Sequence, residues 1–227
     1  MEKSRREKAY ILIETLVAVL VPVTWISMAF RPGSGSFLSS PGVQSLKYFT
    51  MLSNIFAGIA SLIALLAYVK NRVKAGDGQV FSRFVFVFRY TATVSVLTTF
   101  LTVLVFFLPI YGPGPLYFGA NLWLHLIIPV LSVIGFFIMP EERRLSFKAS
   151  LFPIIPVIAY AAFYCTNLMV NGVGGAYPNT NDWYGFLNWG WTVGWCIFAG
   201  ILAATWAAAL LLRLLFNISR KKEPSDE

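Results

Sequence analysis

The chain has 227 residues, 57% of them hydrophobic and only 12% charged. A soluble domain carries about 25% charged residues, so a soluble globular enzyme, a disordered chain and a nucleic-acid binder are all excluded. The net charge of +8 is explained by lysine and arginine flanking membrane spans. Two cysteines and one histidine leave no disulfide framework, no thiolate metal site and a single imidazole base.

A helix crossing a hydrocarbon core about 30 Å thick needs roughly 20 mostly apolar residues. Six stretches have that length, at about 10–30, 48–69, 84–108, 119–138, 150–170 and 187–216. They predict an all-α integral membrane protein with one six-helix domain over residues 1–227. The first stretch follows a basic start, yet it is long for a signal peptide and no clear small-residue cleavage site follows it. It is therefore expected to remain as a span. The breaks carry turn chemistry. Arg31-Pro32-Gly33-Ser34-Gly35-Ser36 ends the first span, and Ala75-Gly76-Asp77-Gly78 divides the second from the third. Pro109 to Pro115 ends the third, Met139-Pro140-Glu141-Glu142 the fourth, and Gly172 to Asp182 divides the last two.

Basic residues set the expected orientation. Lys3, Arg5, Arg6 and Lys8 precede the first span, and Lys70, Arg72, Lys74, Arg83 and Arg89 flank the second connection. Arg143, Arg144 and Lys148 lie in the fourth connection, and Arg213, Arg220, Lys221 and Lys222 close the chain. Only Arg31 and Lys47 fall on the other side. Basic residues favour the cytoplasmic side, so both termini are expected in the cytoplasm.

Ionisable and polar residues inside spans are costly and often functional. Glu14 is read as a carboxylate near a helix N-terminus that reaches water. Arg89 and Arg213 are read as snorkelling from span ends. Cys165 and Cys196 read as small apolar packing residues, and Trp183, Tyr184, Trp189 and Trp191 as an interfacial aromatic belt. His125 differs from these. It lies roughly 9 Å into the fourth helix among apolar neighbours, and it needs a partner for its ring N–H. Thr50 and Asn54, spaced i, i+4, share a face of the second helix, with Ser53 nearby. Thr50 falls at the same outer depth as His125. Asn121, Asn167, Asn188 and Thr192 fall in the outer parts of the fourth, fifth and sixth helices. Helix–helix hydrogen bonding explains each one separately. Together they point to a polar pocket opening outward, in which a hydroxyl and the sole histidine can pair as nucleophile and base. Asn54 or Asn188 can then donate to an oxyanion.

Three short patterns carry a resemblance: Tyr48-Phe49-Thr50-Met51-Leu52-Ser53-Asn54, Leu124-His125 followed by Pro129-Val130-Leu131, and Tyr177-Pro178 followed by Gly185-Phe186-Leu187-Asn188. In order and placement the chain resembles six-span prokaryotic membrane proteins related to the androgen-induced-gene and androgen-dependent tissue-factor-pathway-inhibitor-regulating proteins. The resemblance implies an integral membrane hydrolase of fatty acid esters of hydroxy fatty acids, using a threonine nucleophile and a histidine without a metal or other cofactor. By motif, Thr50 is similar to the family threonine and His125 to the family histidine. Ser53-Asn54 is similar to the prokaryotic branch, which implies a bacterial plasma (inner) membrane. The loop after Tyr177 continues as Asn179-Thr180-Asn181-Asp182, longer than the family's compact Tyr-Pro-aromatic pattern. Ser53, Asn54, Asn121 and Asn188 are the candidate substrate or oxyanion contacts. The expected partner is a membrane lipid or lipid ester, with no nucleic acid and no obligate protein partner. The competing readings are a small proton-coupled transporter or channel, with His125 as proton carrier, and a lipid-binding protein without turnover.

Overall fold

A computed structural model describes residues 2–30, 42–75, 80–175 and 179–220. The expected turns at 31–36 and 76–78, the Tyr177-Pro178 pair and the basic residues Lys221 and Lys222 lie outside the described residues. Among the described residues there is no strand, only an isolated bridge between Gly174 and Thr180.

Among the described residues, six helices are long and apolar enough to cross a membrane. We label them α1 (Glu2–Phe30), α2 (Phe49–Ala75), α3 (Arg83–Tyr111), α4 (Ala120–Ile138), α5 (Ile154–Asn171, led by a tighter turn over Phe147–Leu151) and α6 (Gly190–Ser219). Each covers one of the six predicted stretches, extended by up to about two turns at its ends. Large apolar side chains such as Leu12, Val23, Leu66, Val105, Ile158 and Leu214 stay exposed along their length. A bundle that meets lipid has such a surface, because hydrocarbon imposes no penalty on apolar side chains.

Both ends of the described chain lie together. Arg6 donates to the carbonyls of Ile138 and Met139, and Arg220 donates to those of Phe137 and Met139. The opposite end holds the starts of α2 and α4 and the loop before α6. The core is layered between these ends. Tyr10, Tyr68, Phe86, Tyr90, Phe136 and Phe216 fill the terminal layer. Val17, Val21, Met51, Val96, Leu124 and Ile128 fill the next. Tyr160, Tyr164, Leu168 and Phe186 fill the far layer.

α3 is the hub, packing against α2, α4 and α6. It is also rich in hydroxyls, which an apolar bundle tolerates only when they are bonded. Thr91, Thr93, Ser95 and Thr98 each donate back to the carbonyl four residues earlier, as such side chains do within helices. Tyr90 donates across to the Ala209 carbonyl of α6.

Glu14 and Arg89 correct the sequence reading. Neither reaches water: both are 0% exposed and bound to each other. Arg89 Nε lies 2.9 Å from Glu14 Oε2 and Arg89 Nη2 3.0 Å from Oε1, a two-pronged pair joining α1 to α3. The same guanidinium donates to Thr93 Oγ1 and to the Ser132 carbonyl of α4. Gly135 lets α4 approach, since a Cβ there would lie 2.6 Å from Glu14 Oε1. Arg213 likewise donates inward, to the Leu145 carbonyl.

Removing one partner of a buried pair leaves an uncompensated charge, which costs about 3–5 kcal/mol. Arg89→Met and Gly135→Ala should each lower the thermal unfolding midpoint in detergent sharply. The double variant Glu14→Gln/Arg89→Met should recover most of the loss. A double variant no more stable than Arg89→Met would contradict this account.

Candidate functional site

Two helices depart from α geometry, and for the same local reason. Proline lacks an N–H, and its ring crowds the carbonyl four residues back. Ahead of Pro109, α3 widens into one π-turn over Val103–Phe107; ahead of Pro129, α4 does so over Trp123–Ile127. The Leu108 N–H then bonds the Val103 carbonyl and the Ile128 N–H the Trp123 carbonyl, each five residues back. Such turns insert an extra residue and are frequent at functional sites. Here both face one cavity of about 70 Å³ at the end opposite the termini, with Val103, Phe107, Leu124 and His125 in its wall.

Thr50 lines that cavity from the first turn of α2. Thr50 and His125 therefore border the same space, although they are not hydrogen-bonded to each other. The His125 ring is buried, and its Nδ1 lies 2.7 Å from the Leu116 carbonyl. A carbonyl only accepts, so Nδ1 carries the proton and, in the neutral ring, Nε2 holds the free lone pair. Leu116 reaches the ring because the chain folds back between Gly112 (φ +71°) and Gly119 (φ +55°), a backbone region that glycine enters without a Cβ penalty. The group orienting His125 is thus a main-chain carbonyl. Asp182, among the described residues the one carboxylate at this end of the bundle, serves elsewhere. It is buried, accepts the N–H groups of Phe186 and Leu187 and binds the Tyr164 hydroxyl.

Asn54 is buried between α2 and α4. Its Nδ2 donates to the Thr50 carbonyl at 2.7 Å and to the Leu124 carbonyl at 3.1 Å. Both amide hydrogens are committed, so Asn54 clamps the residue next to His125 onto the turn that bears Thr50. Ser53 turns toward α3, with its hydroxyl 2.8 Å from Thr99 Oγ1. Asn121 is in the cavity wall and donates to the Pro115 carbonyl. Asn188 is exposed and lies outside the wall. A Cβ at Gly185 would meet its amide at 2.6 Å, because the side chain folds over its own turn. Of the six candidates, then, Thr50, His125 and Asn121 line the cavity, Asn54 holds it together, and Ser53 and Asn188 face away.

The expected aromatic belt divides. Trp189 and Trp191 stay exposed, whereas Trp183 and Tyr184 close the cavity. Tyr184 Oη accepts the Phe49 N–H at 2.7 Å and so caps the helix that carries Thr50. Burial pushes the Tyr184 phenol up to about 12, so it is protonated at neutral pH. The Lys47 ammonium stands over the Tyr48 and Trp183 rings, 5.3 and 5.5 Å from their centroids, and burial lowers its pKa. Sequence reading placed Tyr184 in the belt and did not need it as a lining residue. Nor did it find a second cavity of about 50 Å³, which shares Thr50, Val103, Phe107 and Tyr184 with the first. Thr98, Thr102 and Ile201 in its wall also line a larger apolar groove of about 700 Å³ between α3 and α6. Among the described residues no cluster of His, Cys, Asp or Glu has the makings of a metal site. No family model, curated protein or solved structure matches the chain.

A clamp and a free donor are separable by substitution. Asn54→Ala should lower the thermal unfolding midpoint in detergent, because it strips two buried hydrogen bonds worth about 1 kcal/mol each. Asn54→Asp should lower it further, by setting a carboxylate against two carbonyl oxygens. A residue acting only as a free donor would leave the midpoint unchanged in Asn54→Ala.

Proposed function

We propose that this chain is a multi-pass membrane ester hydrolase in which Thr50 is the nucleophile and His125 the general base. The observation that carries the reading is the shared cavity. The one imidazole in the chain, with its tautomer set by Leu116, faces the same space as Thr50, at the junction of the two π-turns. The motif resemblance to the androgen-induced-gene relatives selects the same two residues. It also supplies the substrate class, fatty acid esters of hydroxy fatty acids.

The chemistry follows from the proton positions. His125 Nε2 takes the Thr50 hydroxyl proton as Oγ1 attacks the ester carbonyl carbon. The carbonyl π-electrons move onto oxygen. Tyr184, protonated and next to Thr50 at the start of α2, is the donor best situated for that oxyanion. Collapse expels the alkoxide, which receives the proton from Nε2, and leaves an acyl-threonine. Water, deprotonated by Nε2, then attacks the acyl carbon; collapse releases the fatty acid and returns a proton to Oγ1. A nucleophile and base need not touch before substrate binds.

The first cavity accommodates an ester group but not its chains. The acyl chain leaves through the second cavity, past Thr102 and Ile201, into the apolar groove between α3 and α6, and so meets the bilayer. The orientation that suits this reading puts the basic end of the bundle, with both termini, in the cytoplasm of a bacterial plasma membrane. The cavity then opens outward.

The decisive test is labelling of the detergent-purified protein with a lipid-like fluorophosphonate. Thr50→Ala and His125→Ala should each lose labelling by about 10³-fold or more, with gel-filtration profiles unchanged. A wild type that resists several acylating probes would overturn the reading in favour of lipid binding or transport. The chain route has its own test. Ile201→Trp should slow hydrolysis of long-chain esters at least tenfold while sparing acetyl and butyryl esters. Equal loss on both would refute the route and leave the Thr50–His125 assignment standing.

A further inference from the structure

A separate groove lies at the end of the bundle that holds the termini. It runs between the start of α3 and the start of α5 and has a volume of about 550 Å³. Its floor is apolar, built from Phe56, Phe88, Phe152 and Ile155. Its cationic residues are Arg83 at the start of α3 and Lys148 in the turn that leads into α5, and no aspartate or glutamate lines it. Both cations are exposed, and neither makes an ion pair or side-chain hydrogen bond with a described residue. Five other cations at this end have partners. Arg6, Arg143, Arg213 and Arg220 donate to main-chain carbonyls, and Arg72 pairs with Glu7. The start of α3 also presents its positive end here, with Ser82 accepting the Val85 N–H.

We infer that this groove binds an anionic phospholipid of the adjoining leaflet, its phosphate between Arg83 and Lys148 and one acyl chain along the phenylalanine floor. Charge complementarity selects the ligand. A neutral or zwitterionic lipid satisfies the apolar floor but leaves two cations uncompensated beside hydrocarbon, whereas a net negative headgroup matches both. Basic pockets between helices at this membrane boundary are suited to such headgroups. The groove shares no lining residue with the Thr50–His125 cavity, and the inference is independent of the proposed hydrolase activity.

The test uses the full-length protein in neutral detergent. Dioleoyl phosphatidylglycerol and dioleoyl phosphatidylcholine are titrated separately, and lipid-bound states are read by native mass spectrometry. Phosphatidylglycerol should bind at least tenfold more tightly. The double variant Arg83→Gln/Lys148→Gln should weaken it roughly thirtyfold, as expected for two surface cations at about fivefold each, without weakening phosphatidylcholine. Arg83→Lys/Lys148→Arg should keep the preference. So should Lys70→Gln/Arg144→Gln, which removes two exposed cations at the same end outside the groove. Equal binding of the two lipids would overturn the inference. So would equal loss in the control pair, or competition by soluble glycerophosphoglycerol as strong as by the intact lipid.

Discussion

The amide of Asn54 sets the register of the site. It joins the Thr50 carbonyl of α2 to the Leu124 carbonyl of α4, and the side chains next in line are Thr50 itself and His125. In water such a bridge is worth little, because both carbonyls would otherwise be hydrated. Inside an apolar bundle, a slip of α2 against α4 strands the Leu124 carbonyl and one Asn54 N–H with no solvent to take them, while the bond to Thr50 stays within α2. The relative height of α2 and α4 is therefore held by the cost of breaking the bridge more than by the gain from making it. The loop over Gly112–Gly119 completes the arrangement by bringing the Leu116 carbonyl to the imidazole.

The cavity is bounded by features with independent causes. A wider turn precedes Pro109 in α3 and Pro129 in α4, and both turns open onto the same space. Asp182 folds the loop before α6 by accepting two of its own N–H groups, which seats Trp183 and Tyr184 over the cavity. Tyr184 then caps α2 at Phe49. The cover and the first turn of the helix bearing Thr50 therefore share one hydroxyl. Any displacement of the loop removes the acceptor that the Phe49 N–H uses.

Much of this was legible in the sequence, for reasons of length and polarity. Six apolar stretches with proline and glycine at their breaks give six helices, since apolar length is what spanning demands. The common depth of Thr50 and His125 follows from counting residues from the ends of their spans. What escaped was any property decided by a distant partner. Glu14 and Arg89 each lie near a span end, so dipole stabilisation and snorkelling each sufficed as an explanation; their pairing needs α1 packed on α3 with Gly135 of α4 behind. The orienting group for His125 is a carbonyl, and every residue has one, so no residue type marks it. Asn188 was misjudged because a positive φ at Gly185 turns the chain and folds the amide over its own loop. The two π-turns are explained by Pro109 and Pro129, but proline alone does not tell a π-turn from a kink.

The Glu14–Arg89 pair also bears on how the bundle is assembled in a bilayer. The ribosome delivers α1 well before α3, so Glu14 reaches the membrane without its guanidinium. An acidic residue inside a span disfavours insertion while its counter-charge is absent, and a shallow placement of α1 that keeps Glu14 at the aqueous boundary lowers that cost. Arrival of α3 supplies the counter-charge, and α4, with Gly135 in place of a bulkier residue, closes over it. The settled depth of α1 is thus a property of three helices together, since α3 supplies the counter-charge and α4 the surface that closes over it.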